Sequence, residues 1–284
     1  MKFKKLFSYV RLARLNKPIG IFLLLWPTLI ALWIAGSGSP DPVVVGIFGL
    51  GVVVMRSAGC VINDLIDRKI DKHVARTKER PLATGNLTPT EAIIFFIFLL
   101  AIAFLLVLQL NSFTIKISLV AIALTIIYPL MKRYTYFPQC ILGAAFGLAV
   151  PMAFAALTNH VPLQAYILYC STVVWAVIYD TEYAMVDRID DQKIGLKSTA
   201  ILFGKADRLI IAILQGVFLM TLAFLGFFLK LNISYYLGLG GVLGFFIYQQ
   251  YLIKDRKPEQ CFKAFLNNRW VGVFLFLSIA LNYG

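Results

Sequence analysis

Nine apolar runs separated by short polar connections decide what this 284-residue chain can fold into. They cover about 18–35, 43–61, 92–110, 117–131, 139–157, 163–179, 209–229, 235–253 and 270–283. Hydrocarbon offers no partner to a free backbone N–H or C=O, so such runs are read as helices that satisfy their own backbones across a bilayer. The 60% hydrophobic content agrees; soluble domains average about 45–50% apolar on a count that also includes glycine. The expected fold is all-α, a polytopic membrane protein of about nine transmembrane helices. It is taken as one domain over residues 1–284, with two halves of roughly 1–136 and 137–284. The last run is too short to span and is expected to begin earlier, and Pro151 is expected to kink the fifth. No small-residue cleavage site follows the basic N-terminus, so no signal peptide is expected.

Charge orders these runs. Of the 27 Lys and Arg, 24 fall in the N-terminal arm and in the connections after runs two, four, six and eight. Only Lys116 and Lys230 lie in the other connections, and Arg56 sits inside run two. Cationic loops stay on the cytoplasmic side, which predicts a cytoplasmic N-terminus and an external C-terminus in a bacterial inner membrane. The net charge of +13 is thereby a matter of topology, and no nucleic-acid partner is implied; the expected surroundings are a lipid bilayer. Cys60, Cys140, Cys170 and Cys261 are too scattered for a zinc or disulfide framework, and two histidines are too few for a histidine metal site.

The acids are distributed differently. Eight of the 14 Asp and Glu fall in two stretches: Asp64, Asp67 and Asp71 after run two, and Asp180, Glu182, Asp187, Asp190 and Asp191 after run six. On a helix Asn63, Asp67 and Asp71 share a face at i, i+4 and i+8, and Asp180, Tyr183, Asp187 and Asp191 form a second stripe. Like charges at i, i+4 destabilise a helix unless something neutralises them. Mg²⁺ does so with one or two carboxylates plus substrate phosphates. Both stretches close helices on the predicted cytoplasmic side, four spans apart, among Arg and Lys. That is the chemistry of a metal-bridged diphosphate.

Individual cations admit two readings. Arg76 and Arg80 suit a bidentate phosphate clamp and equally suit an ordinary cytoplasmic loop; the same holds for Lys197. Lys132 and Arg133, beside Tyr134 and Tyr136, form either a substrate-binding turn or an interfacial anchor. Tyr183 either lines the reactive pocket or packs. Arg56 stands within a span, where a charge is expensive and functional by default; the alternative is a buried ion pair with an acidic stretch. It lies two turns, about 10 Å, deeper than Asn63.

The motifs Asn63-Asp64-x-x-Asp67-x-x-x-Asp71, Arg76-Thr77-x-x-Arg80-Pro81, Tyr179-Asp180-Thr181-x-Tyr183-Ala184-Met185-x-Asp187-x-x-x-Asp191 and Lys197-Ser198-Thr199 resemble the UbiA superfamily of intramembrane prenyltransferases over essentially the whole chain. The Tyr179–Met185 run and the 131–135 turn favour the members that prenylate 4-hydroxybenzoate in ubiquinone biosynthesis. The resemblance implies helices around a central cavity and Mg²⁺-dependent transfer from polyprenyl diphosphate. By position, Asn63, Asp67, Asp187 and Asp191 would be metal-side ligands, with Asp64 beside them. Asp67, Asp71, Asp187, Asp191 and Arg133 would act in catalysis. Arg56, Arg76, Arg80, Lys132, Arg133, Tyr183 and Lys197 would bind substrates. A phosphatidyltransferase would carry an Asp-Gly-x-x-Ala-Arg signature, absent here. A cation transporter would place its acids near the midplane between broken helices.

Overall fold

The computed structural model describes residues 2–283, with side chains from residue 5 to residue 283. Among them there are helices and turns and no strand. A short helix α1 (Lys2–Leu12) precedes α2 (Ile19–Ala35), α3 (Pro42–Asp67), α4 (Pro89–Val107), α5 (Ser112–Met131), α6 (Pro138–Gly147), α7 (Ala149–Thr158) and α8 (Leu163–Lys193). Then follow the one-turn α9 (Thr199–Phe203), α10 (Asp207–Phe228), α11 (Ile233–Leu252) and α12 (Pro258–Ala280). The nine apolar runs fall on α2, α3, α4, α5, α6 with α7, α8, α10, α11 and α12. Six of these segments are long and apolar enough to cross a membrane, with the shorter apolar α2 beside them.

Local chemistry sets the helix ends. Asp41 caps α3 by accepting from Val43 N at 2.8 Å, with Pro42 in the first turn. Thr88 and Glu91 form a reciprocal capping box at the start of α4. Asn111 accepts from Thr114 N at 2.9 Å to start α5. Pro151 cannot donate to the Gly147 carbonyl four residues back, and the fifth run is divided at Leu148 into α6 and α7, the expected kink. The ninth run begins at Pro258, twelve residues before its apolar stretch.

Contacts between connections fix the alternation. Arg11 donates to the Glu79 carbonyl at 2.7 Å, and Lys197 N to the Lys132 carbonyl at 2.8 Å. Arg256 donates to Asp207 at 2.8 Å. These gather the N-terminal arm and the connections after α3, α5, α8 and α11 at one end. At the other end Asn111 donates to the Ala155 carbonyl at 2.6 Å and Asn232 N to Asn282 at 2.6 Å.

Two helices overshoot. About 20 residues cross the hydrocarbon, whereas α3 has 26 and α8 has 31. The surplus turns carry the acidic stretches. α8 holds Asp180, Tyr183, Asp187 and Asp191 in one continuous helix, as expected. α3 stops at Asp67, and Asp71 lies in a separate 3₁₀ turn, Asp71–His73. Here the expected single stripe is broken. Arg68 donates to the Leu65 carbonyl at 2.8 Å, satisfying one of the acceptors that a helix end leaves free.

Candidate active site

Where the overhangs of α3 and α8 meet, carboxylates and cations interlock. Asp64 and Asp67 are 0% exposed and Asp71 4%. Arg80 reaches both Asp71 oxygens at 2.9 and 2.8 Å, and Asp64 at 3.0 Å. Arg14, in the turn after α1, donates to Asp64 at 2.8 Å. Lys132 pairs with Asp67, while Arg133 donates to the Ile66 carbonyl at 2.9 Å and stands 3.5 Å from Asp67. Arg76 spans to the other motif, its Nε 2.9 and 3.1 Å from the two Asp187 oxygens. Its guanidinium lies over the Tyr183 ring at 4.5 Å. Ala75 N donates to Asp190 at 3.2 Å. One connection thus touches both acidic stretches.

Charge and burial oppose each other here. Burial pushes the Asp71 carboxyl above its ordinary value, against the pull of Arg80. Burial also works against the charged forms of Arg14 and Arg76. Asp64 together with Cys60 and Tyr183 outweighs it for the first, and Tyr183 and Asp187 for the second, so both titrate above the usual guanidinium value.

Beneath this layer is a cavity of about 900 Å³. Asn63, Arg76, Arg80 and Arg14 line its mouth. Arg56, Tyr128, Asp180 and Phe146 line it deeper, and apolar residues of α4 and α5 extend it. Arg56 lies over the Phe146 ring at 5.4 Å. Its Nε is buried without a hydrogen-bond partner, and among the described residues the side chain makes no ion pair. The backbone of α2 makes room for it: a Cβ on Gly20 would sit 2.1 Å from Arg56 Nε.

Of the sequence-selected residues, Asn63, Arg56, Arg76, Arg80 and Tyr183 line the cavity. Asp64, Asp67, Asp71 and Asp187 are held in ion pairs around its mouth. Asp191 is half-buried one helical turn beyond Asp187. Lys132 and Arg133 approach Asp67 from the end of α5. Lys197 instead ties two connections together, its Nζ donating to the Tyr134 carbonyl at 3.1 Å and lying 5.4 Å from the Tyr136 ring. Sequence reasoning missed Arg14, which looks like any other cation of a basic arm. It also missed Asp207, an acid outside both stretches that accepts from Arg188 and Arg256 and fastens α8 to α10.

The donor set suits a hard cation: amide and carboxylate oxygens only, with Asp67 Oδ1 buried and without a hydrogen-bond partner. Among the described residues no three His, Cys, Asp or Glu side chains form a ready cluster. Mg²⁺ ordinarily takes one or two carboxylates and fills its shell with water and phosphate oxygens, so the residues fit that ion together with a phosphorylated substrate.

Comparison with known proteins agrees with this geometry. The UbiA prenyltransferase family matches residues 24–279. The chain is 54% identical over 275 residues to the 4-hydroxybenzoate octaprenyltransferase of Coxiella burnetii (strain RSA 493 / Nine Mile phase I), covering 97% of this chain and 96% of that protein. It is 56% identical over 280 residues to the protein of that name from Nitrosococcus oceani, covering 99% and 98%. Similar solved structures include a UbiA homologue from Aeropyrum pernix K1, with TM-score 0.81, 21% identity and 92% and 97% coverage. Another is a UbiA homologue from Archaeoglobus fulgidus bound to GPP and Mg²⁺, with TM-score 0.77, 20% identity and 97% and 99% coverage. At those identities the structures establish the shared fold.

Proposed function

The chain belongs to the UbiA prenyltransferase family, and from that premise we propose that it transfers a polyprenyl group from polyprenyl diphosphate to C3 of 4-hydroxybenzoate. Diphosphate is released, and the product, 3-polyprenyl-4-hydroxybenzoate, serves ubiquinone biosynthesis. The observation that carries this reading is one cavity with a layer of carboxylates and cations at its mouth and, deeper, an arginine, Arg56, whose Nε has no hydrogen-bond partner. Its about 900 Å³ falls within the usual range of ligand sites.

The layers divide the work. The diphosphate sits at the Asn63 level, where Arg76 and Arg80 offer two-point grips on its oxygens. Asn63, Asp67, Asp187 and Asp191 are placed to hold Mg²⁺, which when bound would neutralise the charge that grows on the leaving diphosphate. Arg76 and Lys132, now paired with Asp187 and Asp67, are the cations that would turn to the phosphate oxygens if those carboxylates held Mg²⁺. The allylic carbon points away from the mouth, and the apolar walls from α4 and α5 receive the tail. The acceptor ring must meet that carbon from below, so its carboxylate lies deeper still. A buried carboxylate is costly unless paired with a cation, and Arg56 is the cation at that depth. Tyr183, held under Arg76, closes one wall.

The charge bias supports a cytoplasmic mouth and N-terminus, and the reading takes the membrane to be a bacterial inner membrane. Membranes carrying the chain, given labelled polyprenyl diphosphate and Mg²⁺, should label 4-hydroxybenzoate and leave naphthoate and homogentisate acceptors unlabelled. Label on another acceptor, with none on 4-hydroxybenzoate, contradicts the reading.

A further inference from the structure

Asp180 is the carboxylate of the second acidic stretch that lines the cavity outside the metal and phosphate layer. It stands on the same stripe of α8 as Tyr183 and Asp187, seven residues and so about 10 Å deeper than Asp187. Arg56 stands seven residues before Asn63 on α3, so the two charged groups occupy matching depths on facing helices. Both line the cavity, together with Tyr128. Arg56, Arg76 and Lys132 act on Asp180 electrostatically, and the Gln139 side chain hydrogen-bonds to it. No ion pair to Asp180 is present among the described residues. A carboxylate is costly at this depth and functional by default.

The reaction has a matching need. The ring π electrons form the bond from C3 to the allylic carbon, and the C–O bond breaks with its electron pair going to diphosphate. C3 then bears both the new substituent and its original hydrogen. Aromaticity returns only when the C3–H electrons fall back into the ring and the proton leaves. A tyrosine hydroxyl is a poor proton acceptor, and the mouth carboxylates lie two turns above Asp180.

We propose that Asp180 is the general base that takes the C3 proton once the prenyl group has been attached. Arg56 then fixes the far end of the ring so that C3 faces Asp180. This rests on the prenyl-transfer reading above.

The test is Asp180→Asn in the full chain, purified and reconstituted in vesicles with polyprenyl diphosphate and Mg²⁺. 4-Hydroxybenzoate carrying deuterium at C3 and C5 is compared with the unlabelled acid. The expected result is a loss of about 10²–10⁴-fold in turnover, with Michaelis constants for both substrates close to those of the unmodified chain. A larger deuterium effect than in the unmodified chain is also expected, because proton removal becomes the slow step. A residue that merely neutralises Arg56 gives a different result: a raised constant for 4-hydroxybenzoate and an unchanged isotope effect, which overturns the proposal. Full turnover in the variant overturns it as well. Should Asp180→Asn fail to fold, Asp180→Glu retains a displaced carboxylate; a raised isotope effect there supports the proposal and an unchanged one overturns it. If the unmodified chain makes no product from 4-hydroxybenzoate, the fault lies in the functional reading and not in Asp180.

Discussion

At the mouth of the cavity Asp64, Asp67, Asp71 and Asp187 all face guanidinium or ammonium groups, while at its floor Arg56 lies against Phe146 with its Nε unpartnered. The mouth already contains both signs of charge, so on the proposed reading a diphosphate with its metal would enter by exchange of partners. The floor presents a cation that makes no close ion pair among the described residues, with the Asp180 carboxylate at matching depth. The contrast explains how a single cavity can keep two anionic substrates in order, a diphosphate above and a carboxylate below.

The mouth is itself uneven. The first acidic stretch is fully buried and gripped from α1, α5 and its own connection. The second is partly buried at Asp187, Asp190 and Asp191, and among the described residues only Arg76 reaches it as a close ion pair from another element. The first therefore doubles as a structural clamp, and the second is free to serve the ligand.

Among variants that test this contrast, the largest effect should come from Asp191→Asn, a loss of about 10²–10³-fold in turnover with stability within about 0.5 kcal/mol of the parent. Turnover assays beside thermal unfolding in detergent would check it, and a large drop in stability would erase the contrast between the stretches. Asp64→Ala should behave in the opposite sense. Removing one partner of a buried pair strands Arg14, while Arg80 keeps Asp71, for about 3 kcal/mol at the low end of such losses. Denaturation of the purified variant measures this; a stability unchanged from the parent would show that the first stretch clamps nothing. Gly20→Ala should be the mildest. It forces the Arg56 guanidinium aside, and an about tenfold rise in the Michaelis constant for 4-hydroxybenzoate is expected, equivalent to about 1.4 kcal/mol. The constant for polyprenyl diphosphate should hold. A rise in both would merge floor and mouth.

Much of this was legible in the sequence because membrane helices advertise themselves. Apolar length, loop charge and Pro151 located the passes and the kink, and the eight clustered acids located the mouth. What escaped depended on pairing across distance. Lys197 reads as a phosphate ligand by position, yet it bridges two connections. Arg14 reads as topology, yet it holds Asp64. Asp71 reads as the third step of a helical stripe, yet α3 ends four residues earlier. No periodicity encodes which cation of a basic loop meets which acid, since that follows from how the helix ends converge.

The central claim is that Arg56 reads the acceptor beneath the diphosphate. Steady-state kinetics of Arg56→Leu against both substrates tests it most directly. The account predicts that the Michaelis constant for 4-hydroxybenzoate rises far more than that for polyprenyl diphosphate. A variant whose diphosphate constant rises while the aromatic one is untouched would contradict it and assign Arg56 to the diphosphate layer.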